Sequence, residues 1–403
     1  MKKIFQLLQV GLFVTAILLL GACAGNPNHV QGTANYPQLA SGTQQPSGPA
    51  AKHIALLLPL TGSLSPYAQA IKNGFFTAYY QQKQLGYAPL VTVYDTNGKN
   101  INEVYATAVA AGADFVVGPL EKTAAQNLAL NPHLAIPVLA LNTLPQASDH
   151  HANNFYEFGL SPDDEAQQAA NKIWANQQHN TIVIVPNTEL GHRLAAAFQT
   201  QLQGLSGKVV ATQFYQNPRT VANDIQKVLQ VSEAYADKRT IQRMVHQEVR
   251  FVPQRRHDFD SIFLVATPGI ANQVLPLLKF YFAGNIPVYA TSQINGGSDG
   301  ELDGVLFCDM PWIIAPNQLQ PSYLQSMQQH IQSVFPDHYA QFAKFYALGV
   351  DAFDLTLPLK QSGGLSRSGM PAATGTLYLT SQQHIYRQLT WAKIQNGTIA
   401  IVH

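Results

Sequence analysis

At 403 residues the chain is long enough for two or three domains or lobes and a large core. A formal net charge of +1 and a charged fraction of 12% exclude recognition of nucleic acid, or of an anionic membrane surface, by bulk charge. Two cysteines, Cys23 and Cys308, make no disulfide framework, and Cys308 falls in the apolar run Gly304–Asp309, where a buried core thiol is expected.

The first residues read as a targeting segment. Lys2 and Lys3 precede a long apolar stretch that ends Ile17-Leu-Leu-Leu20, followed by Gly21-Ala22-Cys23. A basic start, an apolar middle and small residues before the cut make a secretory signal over residues 1–22. Leu20-Gly21-Ala22-Cys23 also resembles the bacterial lipobox, which implies that Cys23 is diacylated and begins the mature chain. Ala24, rather than Asp, follows it, and in such lipoproteins this implies the outer membrane, on its periplasmic face. Residues 24–51 carry no Asp, Glu, Lys or Arg and include Pro27, Pro37, Pro46 and Pro49. Residues 23–52 are therefore expected to be a flexible tether, with a coil span of about 30 Å and a stretched reach on the order of 100 Å. No later segment is long and apolar enough to span a bilayer.

From His53 the pattern is strand–loop–helix, repeated. Ile54 to Leu58 is a continuous apolar run, as for a strand buried on both faces of a parallel sheet. Ser65 is expected as a helix N-cap with Pro66 at the first helical position, and Ala68, Ile71, Phe75 and Ala78 then recur at spacings of three and four. Strands follow at Leu90–Tyr94, at Asp114–Pro119, running into a tight loop, and at Ile136–Asn142, separated by helices near 102–111 and 123–130. Phe155–Phe158 reads as a strand leaving this first lobe. Ser161-Pro-Asp-Asp-Glu165 opens a helix, with a cap, a proline and then acids in the first turn. The alternation restarts with strands at 181–185, 209–215, 261–266 and 286–290, and Gly304–Trp312 reads as a strand returning toward the first lobe. Helices near 323–334 and 339–357 follow, then strands at 376–379 and 386–394. The fold class is α/β and two-lobed, each lobe a doubly wound, mostly parallel sheet. The expected division is 53–158 with 313–374 for lobe 1, and 159–312 with 375–403 for lobe 2.

Two such lobes with several crossings have the architecture of a type I periplasmic-binding-protein-like body. The order of segments resembles the C-terminal domain of the penicillin-binding protein activator LpoA family. The resemblance is carried by Ile54-Ala-Leu-Leu-Leu-Pro-Leu-Thr-Gly62, Val93-Tyr-Asp-Thr-Asn-Gly98, Gly112-Ala-Asp-Phe-Val-Val-Gly-Pro-Leu120 and Phe158-Gly-Leu-Ser-Pro-Asp-Asp-Glu-Ala166. It continues in Arg255-Arg-His-Asp-Phe-Asp-Ser-Ile-Phe-Leu264, Asp303-Gly-Val-Leu-Phe-Cys-Asp-Met-Pro-Trp312 and Tyr346-Ala-Leu-Gly-Val-Asp-Ala352. The resemblance implies a regulator rather than an enzyme, an outer-membrane lipoprotein that binds and allosterically activates a bifunctional class A penicillin-binding protein in peptidoglycan synthesis, with no cofactor. Better-known members carry a helical-repeat domain ahead of this one, and here a linker of about thirty residues is expected in its place. The alternative is a solute-binding lipoprotein for a small polar ligand.

Candidate chemistry divides into two places. Thr61, Gly62, Ser63, Gly118, Pro119, Asn142 and Thr143 follow strand ends and should line the inter-lobe cleft, where solute-binding relatives hold a ligand's charged group. The competing reading is a vestigial cleft edge in which Gly and Pro serve turn geometry. The stretch 238–257 is the most basic, with Arg239, Arg243, Arg250, Arg255 and Arg256. It is either a solvated face or a contact for an acidic partner, with Arg239, Arg243 and His246 on one helical face. Gly296-Gly-Ser-Asp-Gly300 fits G-x-S-x-G without the strand and helix that a nucleophile elbow needs around Ser298. Gly204–Lys208 lacks phosphate-loop spacing, and His150-His151 lack metal-ligand spacing, so no metal is expected.

Overall fold

A computed structural model describes residues 48–144, 154–248, 250, 254–296, 300–319, 321–362 and 364–402. The expected signal, the lipidation site Cys23 and nearly all of the tether lie outside the described residues, as do His150, His151 and Ser298. Among the described residues no helix is long and apolar enough to cross a membrane.

The first sheet has strand order β2-β1-β3-β4-β5, all parallel. Its strands are β1 (His53–Leu58), β2 (Leu90–Asp95), β3 (Phe115–Val117), β4 (Val138–Ala140) and β5 (Phe155–Glu157). All six residues of β1 are buried. Because side chains alternate across a strand, Ile54, Leu56 and Leu58 enter one core cluster, and Ala55 and Leu57 the other. Helix α1 (Ser65–Gln84) buries Ala68, Ile71, Phe75 and Ala78 on the first of these faces. Helices α2 (Ile101–Ala110) and α3 (Lys122–Ala129) cover the second. The cap of α1 is Leu64, not Ser65, whose hydroxyl donates backward to the Leu60 carbonyl at 2.7 Å. Ser161 caps α4 (Pro162–Ala175) as expected, accepting from the Asp164 N–H.

The second sheet reads β15-β14-β10-β9-β8-β6-β7. Its parallel strands are β6 (Asn180–Pro186), β7 (Lys208–Tyr215), β8 (Ser261–Leu264), β9 (Val288–Ala290) and β10 (Leu306–Asp309). Helix α5 (Glu189–Gly204) covers one face with α4, while α6 (Val221–Val228) and α8 (Pro268–Phe280) cover the other; α7 (Val231–Val245) lies beside α6. The run that was expected to return to the first lobe is therefore β10, inside the second sheet, but Cys308, Met310 and Trp312 already join the first lobe's core. Helices α9 (Pro311–Ile314), α10 (Tyr323–Val334) and α11 (Pro336–Ser362) follow.

The chain then forms a small antiparallel sheet of β11 (Met370–Ala372), β12 (Gly375–Leu379) and β13 (Ile385–Gln388). Leu377, Leu379 and Ile385 pack in the first lobe's core, so residues 375–388 do not go with lobe 2 as the expected division has them. The chain enters the second sheet only at β14 (Thr390–Gln395), antiparallel to β10, and ends on the edge strand β15 (Thr398–Val402).

Helix α11 crosses α1 at very close range. A Cβ on Gly349 would lie 2.0 Å from the Ile71 carbonyl oxygen, and one on Gly74 would lie 2.1 Å from that of Tyr346. Glycine at both positions lets Phe75 and Phe353 meet edge to face at 5.1 Å. Farther along α11, buried Asp351 accepts from the Ala373 and Thr374 N–H groups at 2.8 and 2.7 Å, tying the β11–β12 turn to the helix. Burial pushes Asp351 up to about 6. Burial, and then the Asp351 charge, push Asp354 up to about 7.

Gly349→Ala should lower folding stability by about 3 kcal/mol, through overpacking against backbone that cannot move aside. Gly269→Ala, in open space near the start of α8, should raise it by about 0.5–1 kcal/mol. Urea unfolding midpoints of the two variants read the contrast. The two acids bind a proton more tightly in the folded state than in the unfolded one. Their contribution is complete below the ordinary carboxylate range and is lost as pH rises through about 6 and 7. The urea midpoint should therefore be higher at pH 5 than at pH 8, and Asp354→Asn should flatten that dependence.

Candidate functional site

Strands β1, β3 and β4 are adjacent and parallel, so the loops that leave them share one edge of the first sheet. There the candidate residues form two separate groups, each bonded within itself. Thr61 Oγ1 donates to Asp95 Oδ2 at 2.8 Å, and Asp95 Oδ1 accepts from the N–H groups of Leu60 and Asn97. The Thr61 hydroxyl bond, with the backbone donors, holds Asp95 below the ordinary carboxylate range. Gly62 takes φ +78° against the Asn97 side chain, and Ser63 is exposed. In the second group, Asn142 Nδ2 donates to the Leu120 carbonyl at 2.8 Å and its Oδ1 accepts from the Thr143 N–H at 2.9 Å. Gly118, at φ +104°, precedes a cis Pro119 and sits where a Cβ would lie 2.1 Å from the Leu57 carbonyl oxygen. Its lack of a side chain lets β1 and β3 approach. Asp95, Thr61, Asn142 and Gly118 thus shape the strand ends, while the Ser63 side chain faces solvent.

A second constellation joins the lobes, and the composition of the strands gave little hint of it. Lys344 of α11 places Nζ 3.0 Å from Asp309 Oδ1 and 2.8 Å from Ser292 Oγ. Ser292 in turn donates its N–H and its hydroxyl to the two oxygens of Glu165, at 2.8 and 2.9 Å. Asp309 also accepts from the Met310 N–H and from Asn295 Nδ2. Burial raises the Glu165 carboxyl above its ordinary value, and Lys344 opposes the rise. Burial also pushes the Cys308 thiol well up, in keeping with an inert core cysteine. A second bridge lies nearby: Gln168 of α4 donates to the Arg387 carbonyl and accepts from the Leu389 N–H, at 2.9 and 2.8 Å. Beside it His384 faces Asp164 at 3.6 Å. Burial disfavours its charge, yet Asp164 and Glu157 lift its pKa above the ordinary value. Glu165 read in sequence as a helix-start acid only. Asp309, a carboxylate in an otherwise apolar strand, was the available signal.

The basic stretch divides in two. Arg239 and Arg243 on α7 are exposed, as is Arg250, and Arg243 Nε donates to the Arg239 carbonyl. His246 lies past the helix end at φ +52°, so it does not continue their face. Arg255 donates to the carbonyls of Phe282 and Arg256 and stacks 5.0 Å from the Phe259 ring centre. Arg256 makes a two-bond pair with Asp258, both at 2.7 Å, and reaches the Val210 carbonyl. Among the described residues no three His, Cys, Asp or Glu side chains gather where a metal could bind.

Two parallel α/β lobes, joined by repeated crossings and with strand-end loops at one edge, define a periplasmic-binding-protein-like body. An ABC transporter substrate-binding protein from Desulfitobacterium hafniense shares that fold at 16% identity and TM-score 0.52, over 87% of this chain and 99% of that one. The chain belongs to the family described as "LppC putative lipoprotein", which matches residues 24–397. It is 28% identical over 353 residues to the "Penicillin-binding protein activator LpoA" of Vibrio antiquarius, covering 85% of this chain and 57% of that relative, so it spans little more than half of its length. The C-domain of Haemophilus influenzae LpoA, described as a regulator of PBP1A, superposes with TM-score 0.68 at 26% identity, over 87% of this chain and all of that domain.

Lys344→Met would leave Asp309 and Glu165 without their cation. With Lys344 one-third exposed, the loss should be on the order of 2 kcal/mol at pH 8. It should shrink from pH 8 to pH 5, because burial already raises the Glu165 carboxyl and a protonated Glu165 no longer calls for the cation. Urea midpoints at the two pH values measure it.

Proposed function

We propose that this chain is a lipid-anchored regulator at the periplasmic face of the outer membrane, attached through Cys23, that binds a bifunctional class A penicillin-binding protein and raises its peptidoglycan synthesis. The observation that carries the reading is the likeness to the whole H. influenzae LpoA C-domain in both lobes, at 26% identity. The site geometry supports a non-enzymatic role, since the polar groups at the strand ends are bonded to one another. It also weighs against the alternative, a solute-binding lipoprotein, because the Thr61 and Asn142 side chains already have partners and Lys344 bridges the lobes. Residues 23–52 serve as the tether. Lobe 1 comprises 53–158 with 313–389, and lobe 2 comprises 159–312 with 390–403. Arg239, Arg243 and Arg250 form the charged contact, and charges of this kind act on encounter rate and orientation. Activation proceeds by preferential binding to the synthase's more active conformation; a tenfold preference is worth about 1.4 kcal/mol.

The test is to add the lipidated full-length chain to a detergent-solubilised class A penicillin-binding protein of the same organism and follow glycan polymerisation and cross-linking. Both rates should rise, with saturation. An unchanged rate together with no retention of the synthase on the immobilised chain would refute the reading. A rise in melting temperature with an amino acid or sugar would favour the solute-binding alternative instead.

A further inference from the structure

The last strand of the chain leaves one edge of the second sheet open. Strand β15 pairs with β14 on one side, and among the described residues no other segment hydrogen-bonds to its outer side. The hairpin fixes which groups face outward. Asn396 and Gly397 form a two-residue turn, at φ +51° and +69°, so the flanking Gln395 and Thr398 are a hydrogen-bonded pair. Hydrogen-bonded and non-hydrogen-bonded pairs then alternate, and Ile399 and Ile401 turn their N–H and C=O groups away from β14. Their side chains share the face of Ile394 and Ala392, in the second lobe's core. Ile401 packs against that core, while Ile399 is left 41% exposed. Sheet edges are ordinarily blunted by a charge, a proline or a bulge. Thr398-Ile-Ala-Ile-Val402 has no charge and no proline, and its register with β14 runs without a shift. At the opposite edge of the same sheet, β7 starts at Lys208 and has its Val210 carbonyl engaged by Arg256.

We propose that the open edge of β15 pairs with the same edge of a second copy of this chain, antiparallel about a two-fold axis at Ala400. A row of unpaired N–H and C=O groups in extended geometry is matched by another strand. The sequence of β15 suits its own copy. An axis at Ala400 sets Ile399 opposite Ile401 of the second copy, so that the outward groups of each meet those of the other as a hydrogen-bonded pair. The isoleucines then continue the apolar face across the axis and cover Ile399. Ala400 falls on the axis, a non-hydrogen-bonded position where two strands come closest and a small side chain fits. Lys393, the cation of the neighbouring strand, lies opposite Ala400. Three strand spacings, about 14 Å, separate it from its own copy. That exceeds the Debye length of about 8 Å at physiological salt, so the two lysines do not oppose the pairing. A five-residue ladder covers much less than the roughly 800 Å² per partner of a stable dimer. The association is therefore weak in dilute solution and forms where chains share a membrane, because tethering raises their effective concentration. That membrane step rests on the lipid anchor of the proposed function, and the pairing goes beyond it.

Cysteine cross-linking of the lipidated full-length chain, anchored in phosphatidylethanolamine–phosphatidylglycerol vesicles, tests the register. Two Cα atoms facing each other at the axis would be about 4.5 Å apart, within disulfide range. Under mild oxidation Ala400→Cys should form a linked dimer at least tenfold faster than Gln203→Cys, which is exposed on α5. Native Cys308 is buried and does not compete. Adding Ile399→Pro removes an outward N–H and leaves the ladder to β14 in place. It should return the linking rate to that of the control, with the melting temperature close to the parent's. Equal rates for the two cysteines, or linking that survives Ile399→Pro in a folded chain, would overturn the pairing. If Ala400→Cys does not link to itself and Ile399→Pro instead weakens binding of the detergent-solubilised synthase, the edge serves a partner strand and the second copy is overturned. A chain that does not float with the vesicles overturns the lipid anchor and this association together. An anchored chain that does not link overturns the association alone.

Discussion

The structure depends on one contact, the crossing of α1 and α11 at Gly74 and Gly349. Each helix offers the other a position without a side chain, and each receives a backbone carbonyl there. The approach puts Phe353 against Phe75 and locks α11 onto the face of the first sheet built by Ile54, Leu56 and Leu58. Two features outside the crossing then follow. Lys344 is brought within reach of Asp309 and Ser292, and Asp351 is placed under the β11–β12 turn. The inter-lobe bridge therefore inherits its geometry from a backbone packing contact that involves none of its own charges.

That inheritance bears on how the body works. Solute-binding proteins of this architecture rely on lobes that open and close around a ligand. Here Lys344 joins the lobes through a carboxylate with only 2% of its side chain exposed, and Gln168 ties α4 to the end of β13 and to Leu389 after it. Opening would strand buried Asp309 without its cation, which is unfavourable even with Lys344 one-third exposed. Such a body suits presentation of a fixed surface to a partner better than capture of a small molecule.

Much of the fold was legible because it rests on local periodicity. The β1 run, the α1 stripe of Ala68, Ile71, Phe75 and Ala78, and the Ser161-Pro162 helix start each follow from the spacing of a few neighbours. Ser65 was misread because a serine before a proline can cap forward or bond backward, and the Leu60 carbonyl decides which. The allegiance of residues 375–388 was hidden for a different reason. Short antiparallel strands carry no mark of which core they face, and only the long-range packing of Leu377 and Ile385 assigns them. The site was less legible still. Thr61 and Asn142 were located correctly at strand ends, yet their bonding partners lie 34 and 22 residues away. The Lys344–Asp309–Ser292–Glu165 constellation draws on four distant segments with no shared motif. Arg255 and Arg256 looked alike in sequence, and only their surroundings separate a carbonyl-bound guanidinium from an ion-paired one.

The late closure of the second sheet has a consequence for how the chain is made. Strand β10 is flanked on one side by β9, close by in sequence, and on the other by β14, which is synthesised more than eighty residues later and follows all of α10, α11 and the small sheet. Until those residues emerge, β10 presents an open edge of hydrogen-bonding groups, and apolar Ala392 and Ile394 are missing from the second lobe's core. Neither lobe is a contiguous piece that can finish before the other begins. Pairings of such long sequence separation are slow to form and leave strand edges exposed to other chains in the interval. A nascent chain of this design keeps that edge unpaired until β14 and β15 have been made.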